Sequence, residues 1–232
     1  MAISNTTRSR IRQLGEPIAL ALGRLGLTPD GLTLIGFGIT AVGAALLASQ
    51  LWLGGGLVVF LGGVFDMFDG TLARATGRVS RFGAFLDSVF DRCGEAVVYV
   101  GLVAGLHASG WANAPICAAA AMAGAFLVSY VRAKAEGLGF SPGTGMAAVG
   151  IMPREIRLVI LCGGLVLGGL IGADLIVPEG GFQGAGGAAL PPGMLVIEGS
   201  LAIIVIGATI TVIQRVLRVR AQAAAEALER PS

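Results

Sequence analysis

Residues 52–91 read WLGGGLVVFLGGVFDMFDGTLARATGRVSRFGAFLDSVFD. No charge interrupts the run from Trp52 to Phe65; then come Asp66, Asp69 and Arg74, a loop with Arg78 and Arg81, and two further acids, Asp87 and Asp91, inside a second apolar stretch. A membrane-spanning helix needs about 20 predominantly apolar residues. The segment therefore reads as the end of one span, a basic loop over 74–82, and the start of the next span, with acids at the joined ends. That hairpin decides the class of the fold, and the rest of the chain is organised around it.

Composition agrees. Of 232 residues, 55% are hydrophobic and 13% charged, with a mean hydropathy of +0.83, whereas soluble domains run at about 25% charged. A soluble globular fold and intrinsic disorder are both excluded. Cys93, Cys117 and Cys162 have unrelated spacings and make neither a disulfide framework nor a zinc site. The 38 glycines suit close helix packing in a bilayer.

No Lys or Arg occurs in 25–73, 93–131 or 158–214, and each empty stretch is long enough to cross the membrane and return. The expectation is a single all-α integral membrane domain over 1–232 with six transmembrane helices, at about 31–50, 52–73, 83–108, 112–135, 155–173 and 194–217. Residues 7–26 mix arginines with Ile11, Leu14, Ile18, Leu20, Leu22 and Leu25, the pattern of an amphipathic helix lying in the interface. The apolar core and cleavage site of a signal peptide are missing from it. The N-terminus, the 74–82 and 136–154 loops and the C-terminus share one basic face, which the positive-inside rule makes the cytoplasmic side of the cell membrane. The other face has short turns near 50–53 and 107–113 and a Gly/Pro-rich connector over 172–193. Trp52 and Trp111 fall at those turns, as interfacial anchors do, and His107 lies near the outer end of its span. The alanine-rich tail over 221–228 extends the last helix.

A carboxylate at the centre of a membrane helix costs roughly 2.5 to 3.5 kcal/mol, so four in one hairpin require partners. Asp66 and Asp69 are three residues apart, Asp87 and Asp91 four apart; each pair shares a helix face. Two such pairs on successive helices can converge at the end of the hairpin. Hard oxygen ligands without histidine or cysteine favour Mg²⁺ or Mn²⁺ over zinc. The bland alternative is structural ion pairing with Arg74, Arg78, Arg81 and Arg92, which accounts for one acid more easily than for two spaced pairs. Gly70, Ala73 and Gly83 lie on the same faces and leave room for a ligand. Arg74 adds a planar fork suited to phosphate. Divalent metal, arginine and small-residue walls together make a site for a nucleotide diphosphate.

The segment 66–91 matches D-x2-D-G-x2-A-R-x8-G-x3-D-x3-D at all eight defined positions, and so resembles the CDP-alcohol phosphotransferase family from about residue 15 to 220. The resemblance implies a six-helix membrane enzyme in which a CDP-linked lipid donates its phosphatidyl group to an alcohol and releases CMP. It further implies two divalent ions, Mg²⁺ or Mn²⁺, on Asp66, Asp69, Asp87 and Asp91, with Asp91 also the proton acceptor for the incoming hydroxyl. Gly70, Ala73 and Gly83 would accommodate the cytidine and Arg74 would contact the diphosphate. A homodimer is also implied, and nucleic acid has no place in it.

Further positions are similar to the prokaryotic phosphatidylinositol phosphate synthases within that family. Leu27-Thr28-Pro29-Asp30-Gly31-Leu32-Thr33 resembles their nucleotide-side segment, placing Asp30, Gly31, Leu32 and Thr33 with the CDP-lipid, and Ser80 stands at a small hydroxyl position there. Ser129-Tyr130-Val131-Arg132-Ala133-Lys134-Ala135-Glu136 resembles a helix end of theirs. With Arg154, Arg157 and Arg215, the bases Arg132 and Lys134 would line a pocket for an acceptor that carries its own phosphate. The implied reaction joins CDP-diacylglycerol to inositol 1-phosphate. Gly150-Ile151-Met152-Pro153 and the long 172–193 connector depart from the usual pattern and bear on the acceptor, not the donor. Glycerol 3-phosphate is the alternative acceptor. A transporter would spread its acids through the bilayer depth, whereas these gather at one edge.

Overall fold

A computed structural model describes residues 16–111, 113–140, 145–173 and 191–229. Residues 7–15 of the expected interfacial helix and 174–190 of the connector lie outside them. Every regular element among the described residues is helical. The elements are α1 (16–24), α2 (Pro29–Ala48), α3 (Trp52–Ala75), α4 (Arg81–Ala108), α5 (Ala114–Gly137), α6 (Arg154–Gly168) and α7 (Pro192–Glu229). A 3-10 turn, Met146–Ala148, precedes α6, and a π-helical turn, Gly169–Ala173, follows it. The six expected spans are all present within about two residues of their expected starts. α7 continues past 217 to Glu229 without a break.

Five helical stretches, Pro29–Ala48, Trp52–Ala75, Ala114–Gly137, Arg154–Gly172 and Pro192–Leu228, are long and apolar enough to cross a membrane. The sixth, α4, has 28 residues, and Arg81, Asp87, Asp91, Arg92 and Glu95 occupy its first four turns or so. At 1.5 Å per residue it runs about 42 Å, so the whole helix is long enough to cross, with its charges gathered towards one end. The chain is a multi-pass membrane protein.

α2 packs on α3 and α4, α3 on α6, α6 on α7, α7 on α5, and α5 on α4. These principal contacts close a ring in the order α2, α3, α6, α7, α5, α4. Glycine makes the tightest approaches. A methyl group on Gly101 or Gly105 of α4 would collide with the carbonyls of Ala44 and Leu47 on α2, and one on Gly43 would lie 2.9 Å from the Val59 nitrogen of α3. Small residues at these crossings bring the helix axes close enough to shape a narrow interior. Leu102, Leu106, Leu165, Ile197, Leu201 and Ile204 fill its outer half.

Trp52 is not a lipid-facing anchor. It is 1% exposed and its ring packs beside Gly105, because the missing side chain there leaves a slot for it. Trp111 is half-buried and donates from Nε1 to Glu198 Oε2 on α7 at 3.0 Å. Both aromatics fasten helices together.

The α3–α4 turn follows from local chemistry. Gly77 takes the left-handed conformation (φ 68°), and the Arg78 amide donates to the Ala73 carbonyl at 2.9 Å, the usual way of stopping a helix. Ser80 then caps α4, its Oγ accepting from the Gly83 amide at 2.8 Å. α2 starts the same way, with Thr28 Oγ1 accepting from Gly31 at 3.1 Å and Pro29 in the first turn. α1 lies against this end of the bundle, burying Ala19 with Leu32 and Leu72 and leaving Ile18 exposed.

Candidate metal and nucleotide site

The last turns of α3 and the first turns of α4 bring Asp66, Asp69 and Asp87 together. One carboxylate oxygen from each lies within 4.8 Å of the others. Asp69 is 7% exposed; its Oδ2 accepts from Thr33 Oγ1 of α2 at 2.6 Å, and its Oδ1 accepts from the Gly70 amide. The side chain is thereby oriented from two sides. Three carboxylates this close repel one another unless a cation sits among them. An all-oxygen donor set without nitrogen or sulfur fits a hard divalent cation, so these residues suit the metal that the sequence implies.

Asp91, one turn further along α4, stands beside the trio. Its Oδ1 lies 2.5 Å from Arg154 Nη1, which is also 3.1 Å from Asp66 Oδ2; its Oδ2 lies 3.6 Å from Arg92. Of Arg74, Arg78, Arg81 and Arg92, Arg92 alone reaches one of the four acids among the described residues. The principal cation at the acids is instead Arg154, delivered by α6.

Around the acids, the residues assigned to the nucleotide lie at the loop end of the hairpin. Asp30 Oδ1 would lie 3.4 Å from a Cβ built on Gly83, so the N-termini of α2 and α4 meet there. Arg74 is exposed and folds back over Gly70, where a Cβ would lie 3.2 Å from its Nη1. Ala73 is half-buried beside it. Leu32 is fully buried in the small core under α1, so its side chain is packing and does not face a ligand. Thr33 turns to Asp69 and orients a carboxylate, a role its sequence position did not suggest.

The five bases assigned to the acceptor pocket divide. Arg132 and Lys134 are exposed at the end of α5, Arg132 pairing with Glu136 at 2.9 Å. Arg154 is half-buried on the acids. Arg157 is 2% exposed and its guanidinium is engaged internally, by Glu95 and the Met152 carbonyl. Arg215 is equally buried and donates to the carbonyls of Val149, at 3.0 Å, and Val128. Its charge is within electrostatic reach of Arg132 and Arg157. Arg157 and Arg215 therefore tie the ring's interior together, because a buried guanidinium takes whatever acceptors surround it.

Sequence reading passed over Glu95. It lies four residues beyond Asp91 and so extends the Asp87–Asp91 stripe by one turn; the spacing was the available signal. It borders a small cavity with Thr40, Gly63, Tyr99, Arg154 and Arg157. A smaller space adjoins Thr33, Gly36, Asp66 and Arg154.

Residues 26–177 match the sequence profile of the CDP-alcohol phosphatidyltransferase family. The chain is 37% identical over 154 residues to an archaetidylinositol phosphate synthase of Pyrococcus horikoshii, covering 66% of this chain and 77% of that one. It is 34% identical over 227 residues to a phosphatidylinositol phosphate synthase of Streptomyces avermitilis, covering 96% and 84%. The crystal structure of the Mycobacterium tuberculosis phosphatidylinositol phosphate synthase with CDP-DAG bound superposes with a TM-score of 0.71 at 28% identity, over 89% of this chain and 94% of that one. The same enzyme in complex with manganese and citrate gives 0.70 at 30% identity, over 88% of each.

Proposed function

Because the chain belongs to the CDP-alcohol phosphatidyltransferase family, we propose that it transfers the phosphatidyl group of CDP-diacylglycerol to an inositol phosphate and releases CMP. The observation that carries this reading is the Asp66, Asp69 and Asp87 trio beside the Asp91–Arg154 pair, at the joined ends of α3 and α4. Two Mg²⁺ or Mn²⁺ ions held by Asp66, Asp69, Asp87 and Asp91 would neutralise the diphosphate and stabilise the departing CMP.

The chain's own residues supply the rest. Thr33 fixes the Asp69 carboxylate. Gly70, Ala73 and Gly83 leave room for the cytidine against the backbone, with Asp30, Gly31 and Ser80 at the neighbouring helix starts and Arg74 over the diphosphate. Asp91 takes the proton of the acceptor hydroxyl as its oxygen bonds to the phosphatidyl phosphorus and the bond from that phosphorus to the CMP oxygen breaks. Arg154, with Arg132 and Lys134, draws the acceptor's phosphate to that hydroxyl's side of the site. The basic loops support a site and termini on the cytoplasmic face of the cell membrane, where tails remain in lipid while CMP and acceptor reach water. The protein acts as a homodimer in this reading.

Purified protein incubated with CDP-diacylglycerol, Mg²⁺ and labelled inositol 1-phosphate, glycerol 3-phosphate or serine in parallel tests it. Label should enter lipid from inositol 1-phosphate. Incorporation from glycerol 3-phosphate alone would make the protein a phosphatidylglycerophosphate synthase.

A further inference from the structure

We propose that Glu95 is a positioning residue for this reaction: by clamping Arg157 and Arg92 it holds the start of α6, and with it Arg154, against the acids of α3 and α4. The Glu95 side chain is 10% exposed and Arg157 is 2% exposed. Glu95 Oε1 accepts from Arg157 Nε at 3.0 Å and from Nη2 at 2.7 Å, while Oε2 accepts from Arg92 Nη1 at 2.8 Å. Arg92 also donates to Ser129 Oγ on α5, and Arg157 to the Met152 carbonyl, at 3.1 Å, in the approach to α6. One carboxylate thus joins α4 to α6 and, through Arg92, to α5.

α4 and α6 are not principal neighbours in the ring of helices, so little direct packing fixes one against the other. Two ion pairs bridge them: Asp91–Arg154 and, one turn deeper, Glu95–Arg157. Glu95 follows Asp91 by four residues and Arg157 follows Arg154 by three, so both rungs lie on the same two helix faces. The outer rung contains groups that engage metal and substrate and must rearrange as these arrive. The inner rung is buried, and two guanidinium N–H groups converge on the one Glu95 oxygen, which fixes the arginine's direction. It keeps Arg154 in register whatever the outer rung does. A carboxylate that merely balanced charge would need no fork on a single oxygen.

The inference rests on the reading that Arg154 serves the acceptor phosphate. Full-length wild type, Glu95→Gln and Glu95→Asp are compared for acceptor KM, donor KM and kcat, with Mn²⁺ binding followed by electron paramagnetic resonance. Glu95→Gln should raise acceptor KM about tenfold or more, the scale of a lost charged hydrogen bond, with donor KM and Mn²⁺ affinity changed less than about twofold. Glu95→Asp should recover part of the loss. An unchanged acceptor KM overturns the proposal, as does an equal rise for both substrates with parallel loss of Mn²⁺ binding, the mark of general loosening. If Glu95→Gln does not fold, the same split at smaller amplitude is expected of Glu95→Asp, and a flat acceptor KM in that variant is equally fatal. Wild type that uses no phosphorylated alcohol would instead sink the functional reading.

Discussion

Arg154, the first residue of α6, places Nη1 2.5 Å from Asp91 Oδ1 on α4. The contact crosses the interior of the helix ring between two helices that are not principal neighbours in it, and the same nitrogen reaches Asp66 on α3 at 3.1 Å. It brings the proposed proton acceptor and the proposed phosphate-binding cation to one point.

Replacing this cation should therefore injure acceptor use before donor use. Arg154→Ala is expected to lower kcat/KM for the phosphorylated alcohol by about 100-fold, because a half-buried charged partner is lost and two carboxylates are left facing each other. Arg154→Lys should restore little, since an ammonium engaged by both acids leaves no planar fork for the acceptor's phosphate. Steady-state kinetics with each substrate varied in turn checks both statements; an Arg154→Lys variant of wild-type efficiency would contradict them.

Asp91→Asn removes the proposed proton acceptor with little change in volume. Turnover should fall by about a thousandfold, the middle of the range for general acid–base catalysis. Metal-dependent binding of CDP-diacylglycerol should persist, because the Asp66, Asp69 and Asp87 trio is untouched. Substantial remaining turnover would assign the base elsewhere.

Thr33→Val deletes the 2.6 Å hydrogen bond to Asp69 while keeping side-chain shape. Partners that orient a metal ligand are worth about 10- to 100-fold in affinity, so the Mn²⁺ concentration for half-maximal activity should rise by about tenfold, and Thr33→Ser should reverse it. Chelation should abolish activity in every variant, with recovery on adding Mg²⁺ or Mn²⁺. A Thr33→Val enzyme with unaltered metal dependence would show that the hydroxyl does not orient the ligand.

Gly105→Val probes the scaffold alone. The new side chain meets the Leu47 carbonyl and the Trp52 ring, and overpacking of this kind costs about 1 to 3 kcal/mol. A lowered unfolding midpoint in detergent is expected, with substrate KM values unchanged in the fraction that remains folded.

The helices and the metal trio were legible in the sequence because they depend on short-range features. Apolar runs of spanning length give the six helices. Spacings of three and four residues put Asp66 with Asp69 and Asp87 with Asp91, and the turn chemistry of Gly77 and Ser80 folds the two pairs together. Interfacial placement of Trp52 failed for the opposite reason: its burial depends on a slot at Gly105, more than fifty positions away in a different helix. The five bases assigned to the acceptor looked equivalent as basic residues at or beside the span ends, and the ring then separated them into exposed Arg132 and Lys134, the shared Arg154, and the internally bonded Arg157 and Arg215.

By itself, then, the sequence determined a membrane-embedded helical enzyme with a hard-metal site at the end of one hairpin, since hydropathy and helical periodicity are local properties. Only the tertiary structure decided which cation meets those acids and what holds it there. Arg154 on Asp91 and Glu95 on Arg157 are pairings between helices distant in the chain, set by the order in which six helices close a ring, and no spacing along the sequence encodes that order.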